Sequence, residues 1–333
     1  MISRAQLQAN LRQTFDMPRV KPHEYGITVD CSDDPYNVMP VASTIFANVL
    51  AQSQDATPDK PFIVTIGETH ILPVDRLAIQ ATLTMLHAHF GKSIAFGYEL
   101  SHDWVRMADD EDLYIKVPMP KDVPARIADP DGRTSLTNAI ACKAFMTAAL
   151  SQENLFQAVL ELGISARFND ASMVHATDCI NYGDAHTRDI IAKSALGLSA
   201  TPPMASSPRG VAERNVVIAE SALTHAKEVG ARIYVQHCGG RHIFRQQTLG
   251  MPFKQHAGEG LSGLFAAKGL QTLNVMLLSR YDAAVVSPSE LPAVRRSIAV
   301  TGLHDMWEFE TSTVYETCRT SGLKCYAPEP SFF

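Results

Sequence analysis

Two tetrapeptides far apart in the chain carry residue types suited to acid/base or metal chemistry. They are Gly67-Glu68-Thr69-His70 and Gly239-Gly240-Arg241-His242, and both read Gly-x-x-His. An imidazole can shuttle protons near neutral pH or bind a divalent metal. Glu99, in Gly97-Tyr98-Glu99, adds a carboxylate. The two-His, one-carboxylate set of His70, Glu99 and His242 suits Zn²⁺, Mn²⁺, Fe²⁺ or Co²⁺. It suits metal-free catalysis equally, with a carboxylate orienting an imidazole that activates water. Each residue also has a plain structural use. Glu68 complements a helix dipole, Glu99 alone is a solvated rim carboxylate, and a lone histidine is a polar loop residue.

These residues need elements that bring them together. Phe62-Ile63-Val64-Thr65-Ile66 is a compact β-branched run, read as a strand buried on both faces. Pro73 to Phe90 has helical periodicity, with Pro73 suited to the first turn. Ser93 to Tyr98 is the next strand, so the pair forms a βαβ unit with parallel strands. Ile164 to Phe168, Arg232 to His237 and Leu270 to Leu278 continue the series, and Val211 to Val229 is a helix. Carboxyl ends of parallel strands open onto the ligand crevice, and both Gly-x-x-His segments directly follow strands. The alternation predicts an α/β three-layer sandwich with a mostly parallel central sheet.

Around this core the expected organisation is an N-terminal helical extension at 1–60, a core at 61–280 and a C-terminal α/β extension at 281–333. The first part starts with a helix over Ser3 to Phe15. The core carries a helical insertion at about 105–160, acidic and Pro-rich from Asp109 to Arg133 and helical from Ser135 to Leu162. Ser199 to Gly210 is a Pro/Ser/Ala linker.

Composition narrows the function classes. The chain has 333 residues, 46% hydrophobic and 19% charged, enough for a large core without disulfide or metal staples. With 29 Lys+Arg against 35 Asp+Glu the net charge is -6, and no dense basic cluster supports nucleic-acid or anionic-lipid binding. The six cysteines are scattered without a Cys-x-x-Cys pair, and read as buried free thiols. No run reaches about 18 apolar residues, so no membrane span is expected. Met1-Ile2-Ser3-Arg4-Ala5 leads into a Gln-rich stretch, not a signal core, so a cytoplasmic location is expected. Signal-independent secretion stays open.

Several motifs fail on inspection. Gly91-Lys92-Ser93 mimics the end of a P-loop, but Leu86 stands where the first glycine is required. Ser101-His102-Asp103 has triad residue types that chain neighbours cannot bring into triad geometry. No dinucleotide fingerprint, His-Glu-x-x-His helix or Gly-x-Ser-x-Gly elbow is present. Arg167, Asn169 and Asp170 end the third strand, where an Asx turn and a place in the crevice are equal readings. Asp184 and His186 read as loop residues. Arg214-Asn215 opens a helix, and an arginine there opposes the dipole, which hints at another role. His237 reads as a half-buried strand end, Cys238 as a structural thiol, and His87 and His89 as helix-end residues.

The ordered set resembles a known superfamily, that of Tiki metalloproteases, TraB/PrgY proteins, the haem-binding lipoprotein ChaN and erythromycin esterases. Its pattern is strand-Gly-Glu-x-His, a Glu after the next strand, an Arg-Asn/Asp-x-x-x-Ala helix, then a strand and a second Gly-x-x-His. Here these are Ile66-Gly67-Glu68-Thr69-His70, Tyr98-Glu99, Arg214-Asn215-Val216-Val217-Ile218-Ala219 and Gly239-Gly240-Arg241-His242, spanning about Pro61 to Leu278. The resemblance implies an EreA/ChaN-like fold with the site at the strand ends. It implies His70, Glu99 and His242 as the metal-ligand or acid/base set, helped by Glu68 and Arg214. Activities in that group diverge, so three expectations follow. The first is a hydrolase of esters or amides, acting on a small molecule or peptide and using a divalent metal. The second is a binder of haem or a small ligand, with a His or Tyr98 as axial donor. The third is a bacterial effector or toxin domain.

Overall fold

The computed structural model describes residues 18–69, 72–101, 151–152, 154–170, 208–244, 259–278, 284–286, 288–303 and 312–326. His70 lies outside them, as do the Ser3–Phe15 helix, the Asp109–Arg133 stretch, Asp184, His186 and most of the Ser199–Gly210 linker.

A short antiparallel pair, β1 (Arg19–Val20) with β8 (Ala284–Val285), stands apart from the main sheet. The main sheet has seven strands: β2 (Ile27–Asp30), β3 (Phe62–Glu68), β4 (Ile94–Ser101), β5 (Ser165–Asp170), β6 (Ile233–Gly239), β7 (Thr272–Leu277) and β9 (Ile298–Thr301). Their order is β2-β9-β7-β3-β6-β4-β5, and every neighbouring pair is parallel. β3 and β6 are buried along their whole length, as strands covered on both faces must be.

Alternation sorts the side chains into two layers. Phe62, Val64 and Ile66 pack with α1 (Met39–Gln52), α2 (Pro73–Phe90) and the helical residues 154–162. Ile63, Ala95 and Tyr234 pack on the other face with α3 (Pro208–Glu228), α4 (Gly240–Ile243) and α5 (Leu261–Ala267). The short α6 (Leu291–Val294) adds Val294 to this second layer. The helix α7 (Ser312–Ser321) packs outside α2 through Val314 and Cys318 against Leu77. The fold is therefore a three-layer α/β sandwich. Both terminal parts enter it through the sheet: β2 and β9 pair with each other, and β9 continues onto β7.

The chain order places the site. From β3 the chain crosses to β4 and β5, then returns so that β6 fills the gap between β3 and β4. Both strands bearing Gly-x-x-His segments are thereby immediate neighbours, with Gly67 opposite Cys238 and Glu68 opposite Gly239. The close fit depends on bare glycine: a Cβ on Gly67 would sit 2.8 Å from Gly240 Cα and 2.7 Å from Ile243 Cδ1.

Beneath the rim, a largely buried polar chain ties α3 to β5 and β6. Ser221 Oγ donates to Asn169 Oδ1 at 2.8 Å. Asn169 Nδ2 donates to Tyr234 Oη at 2.8 Å and to Gln236 Oε1 at 2.7 Å. His225 lies between Tyr234 Oη (Nδ1, 3.1 Å) and Ser165 Oγ (Nε2, 3.0 Å). Gly97 leaves room for this chain, since its Cβ would lie 2.8 Å from Tyr234 Oη and closer still to Asn169 and Gln236.

Burial, reinforced by the Arg167 charge, holds His225 down to about 4 from its ordinary 6.5. The folded site thus favours the neutral ring. Below pH 6.5 the unfolded chain takes the proton first, so this contribution to stability is intact above 6.5 and is lost as pH falls toward 4. Urea midpoints measured from pH 7 to 4.5 are expected to fall more steeply for wild type than for His225→Gln. Parallel pH profiles would refute the assignment. Gly67→Ala is expected to cost about 1–3 kcal/mol by overpacking against Gly240, read as a lowered urea midpoint; an unchanged midpoint would show that the two segments do not touch.

Candidate functional site

Four parallel strands end side by side, and three deliver a carboxylate to the rim: Glu68 from β3, Glu99 from β4 and Asp170 from β5. β6 ends in Gly239, after which the single turn of α4 presents His242. Alternation along the strands then separates these groups onto two sides of the sheet.

On the α3 side, Arg214 is clamped between two carboxylates. Its Nε donates to Asp170 Oδ1 (3.0 Å) and Oδ2 (3.2 Å), and its Nη2 donates to Asp170 Oδ2 (2.5 Å) and Glu99 Oε1 (2.6 Å). All three side chains are buried. Burial opposes the guanidinium charge, but the charges of Asp170 and Glu99 outweigh it and hold Arg214 above its already high ordinary value. Glu99 Oε2 accepts the backbone N–H of Gly239, tying β4 to the end of β6.

His242 completes this cluster, with Nε2 2.9 Å from Glu99 Oε1. Asn215 holds the other side of the ring. Its Nδ2 donates to the Glu259 carbonyl (3.1 Å), which leaves Oδ1 facing His242 Nδ1 at 2.5 Å. A carbonyl oxygen only accepts, so Nδ1 carries a proton. A bare Nε2 lone pair facing a carboxylate would repel it. A proton shared between Nε2 and Glu99 Oε1, or a cation lying between them, removes this repulsion.

The donor set can be tested against a metal. Two ligands with bonds of about 2.0–2.2 Å lie about 3.4 Å apart in a tetrahedral site and about 3.0 Å apart at a right angle. The observed 2.9 Å therefore suits a right-angle pair better than tetrahedral zinc. Arg214 already sits on the same Glu99 oxygen, which opposes a second cation there. No group of three His, Cys, Asp or Glu side chains among the described residues could hold a metal, and His70, the third expected donor, lies outside them. Charge balance fits the proton: two carboxylates against one guanidinium leave a net negative cluster that an imidazolium neutralises.

On the α2 side lies a second charged group. Glu68 Oε1 is 2.9 Å from His237 Nε2 and 3.2 Å from Arg76 Nη2, all buried. Arg76 Nη1 also donates to Ser151 Oγ at 3.4 Å. Asp75 Oδ2 accepts the Thr69 N–H at 3.0 Å, which anchors the chain at the end of β3 to α2. Tyr98 lies in this layer too. It is 2% exposed and is edge-on to Phe96, Phe156, Phe168 and His237, and burial pushes its hydroxyl well up. Burial likewise raises the Cys238 thiol, before the added charge of Glu99 and Glu68, as expected for a structural cysteine.

Of the expected site residues, Glu99, Arg214 and His242 thus touch one another, while Glu68 and Tyr98 face the opposite layer. Arg214 does not open its helix. α3 begins at Pro208, so Arg214 is well inside and is buried. β5 runs on to Asp170, so Asp170 is a strand-end carboxylate rather than part of a loop turn. Arg76 is a further member that the sequence reading did not name; Asn215 stood there only beside Arg214, and His237, read as a half-buried strand end, is buried and meets Glu68. Arg76 carries the signal that flagged Arg214, a cation near a helix start that the dipole disfavours.

A cavity of about 660 Å³ lies on the α3 side, lined by Ser262, Thr272, Asn274, Glu290 and Arg296. Glu259 lines it, but Glu99, Arg214, Asn215 and His242 do not, and Leu270, Gln271, Thr272 and Arg296 set it near the amino ends of β7 and β9. Its size is that of a small-molecule site. No helix among the described residues is long and apolar enough to cross a membrane. Comparison of the chain with protein-family models, with curated proteins and with solved structures finds no match.

Removing Arg214 leaves Glu99 and Asp170 buried without their shared cation. Arg214→Met is expected to destabilise the fold by about 3–5 kcal/mol, measured by urea unfolding. Adding Asp170→Asn to that variant should recover part of the loss. A single variant as stable as wild type would mean the clamp contributes nothing.

Proposed function

We propose that this chain is a hydrolase of ester or amide bonds, with Glu99 and His242 as its proton-transfer pair. The observation that carries the reading is the 2.9 Å contact between His242 Nε2 and Glu99 Oε1 in a buried cluster that braces both partners. Oriented carboxylate–imidazole pairs are the usual equipment for moving a proton to and from water and a leaving group.

In this mechanism Glu99 takes a proton from water as its oxygen attacks the substrate carbonyl carbon. His242 Nε2 gives its proton to the leaving oxygen or nitrogen as the carbon–heteroatom bond breaks. Glu99 then returns its proton to His242 across the 2.9 Å contact, and the site is restored. Asn215 keeps the ring in place through Nδ1, and Arg214 holds Glu99 in place through Oε1. Asp170 acts through Arg214 and is a positioning residue. A divalent metal held by His70, Glu99 and His242 is the other form of this reading; it would supply Lewis-acid activation of water. Of the two expected kinds of axial haem donor, a His or Tyr98, Tyr98 is packed in an aromatic core, which supports the hydrolase over a Tyr98-ligated haem.

Turnover of a panel of small esters and amides tests this, alongside elemental analysis of the same preparations. Glu99→Gln and His242→Gln are each expected to lower kcat by about 100- to 10,000-fold with metal content unchanged. Stoichiometric metal in wild type, lost in both variants, would replace the metal-free mechanism with the metal-assisted one. Full activity in either variant would exclude the pair as the catalytic centre.

A further inference from the structure

Cys318 and Cys325 are seven residues apart in the chain, with neither a Cys-x-x-Cys spacing nor any catalytic neighbour. The end of α7 brings them together. Gly322 adopts a positive φ of 62°, a conformation that glycine takes without strain. Leu323 N–H then returns to the Cys318 carbonyl at 2.8 Å, and Gly322 N–H reaches the Arg319 carbonyl at 3.3 Å. This is the paired closure of a Schellman motif, and it reverses the chain back along α7.

The reversed segment is held firmly. Gln80 Nε2 of α2 donates to the Lys324 carbonyl at 2.9 Å. Lys324 Nζ meets Glu161 at 2.5 and 2.7 Å, and Tyr326 N–H donates to Asn154 Oδ1 at 2.5 Å. Cys325 lies between these anchors and packs on the cluster of Leu77, Val314 and Cys318. Among the described residues that cluster has only three buried members, so the packing brings the Cys325 side chain to the small apolar patch that contains the Cys318 sulfur. Both cysteines are free thiols, Cys318 buried and Cys325 half-buried. Cys31 and Cys238 are buried in the two main cores, Cys31 on the α1/α2 side and Cys238 on the α3 side.

We propose that Cys318 and Cys325 form a redox-active dithiol, closed to an intramolecular disulfide by exchange with a small-molecule disulfide. The half-exposed Cys325 thiolate attacks the small disulfide, forming a mixed disulfide and releasing one thiolate. The Cys318 thiolate then attacks the Cys325 sulfur and displaces the second. Two protein thiols are oxidised to one disulfide, and the small disulfide is reduced to two thiols. Burial, reinforced by the neighbouring Cys325, raises the Cys318 thiol, which sets the order of attack: Cys325 first and Cys318 as the resolving group. The bridge would fix the segment after α7 onto α2, whose first turn supplies Asp75 and Arg76 to the rim.

The test uses the full chain equilibrated with oxidised glutathione, followed by alkylation, trypsin digestion and mass spectrometry. Cleavage after Arg319 and Lys324 places the two cysteines on separate peptides. The expected result is a reducible cross-link between those peptides, with neither Cys318 nor Cys325 left alkylatable. In Cys318→Ser the reaction should stop at a stable glutathione adduct on Cys325, whereas Cys325→Ser should leave Cys318 unmodified. A persistent adduct on Cys325 in wild type, or no reaction at either cysteine, would overturn the proposal. Neither result bears on the hydrolase reading.

Discussion

The rim of this protein is organised by one buried cation. Arg214 reaches from α3 to Asp170 at the end of β5 and Glu99 at the end of β4, and Glu99 in turn holds the last backbone N–H of β6. Three strands and a helix therefore meet in one charged cluster. Such groups are costly to bury singly and tolerable only as a set. The set is also what aims Glu99 at His242, so the clamp that secures the fold orients the proposed proton-transfer pair as well.

β6 separates two charged systems. Successive residues of a strand face opposite layers, so His237 meets Glu68 and Arg76 under α2, while the α3 side carries Glu99, Arg214 and His242. The two systems meet through backbone: Glu68 is in register with Gly239, whose N–H is bound by Glu99. A shift at the end of β3 or β6 would disturb both. The bare Gly67, with Gly240 packed against it, leaves little slack for such a shift. α2 links one system to the outer layer, since Arg76 stands next to Leu77, the residue that receives Cys318 of α7.

Much of the architecture was legible in the sequence. β-branched runs separated by helical periodicity predicted the parallel α/β core, and the structure has those strands at β3, β4, β5, β6 and β7. Hydrophobic period and length report local structure directly, which is why these elements were readable. The place of β2 and β9 in the same sheet was not, because short edge strands have weak patterns and their partners are remote in the chain.

The sequence by itself pointed to His70, Glu99 and His242, with Glu68 and Arg214 as helpers, as residues for chemistry at strand ends; of these, Glu99 contacts Arg214 and His242, and Glu68 faces the other layer. Those types follow strands or lie in a helix that must pack on them, and parallel strands end on one rim. Only the tertiary structure decided that β6 lies between β3 and β4, that Asp170 and Asn215 hold Arg214 and His242, and that Glu68 turns away toward Arg76 and His237. The physical reason is that strand order and the sidedness of a strand's last residue are set by long-range packing. No local pattern encodes which remote carboxylate a buried arginine or histidine will find.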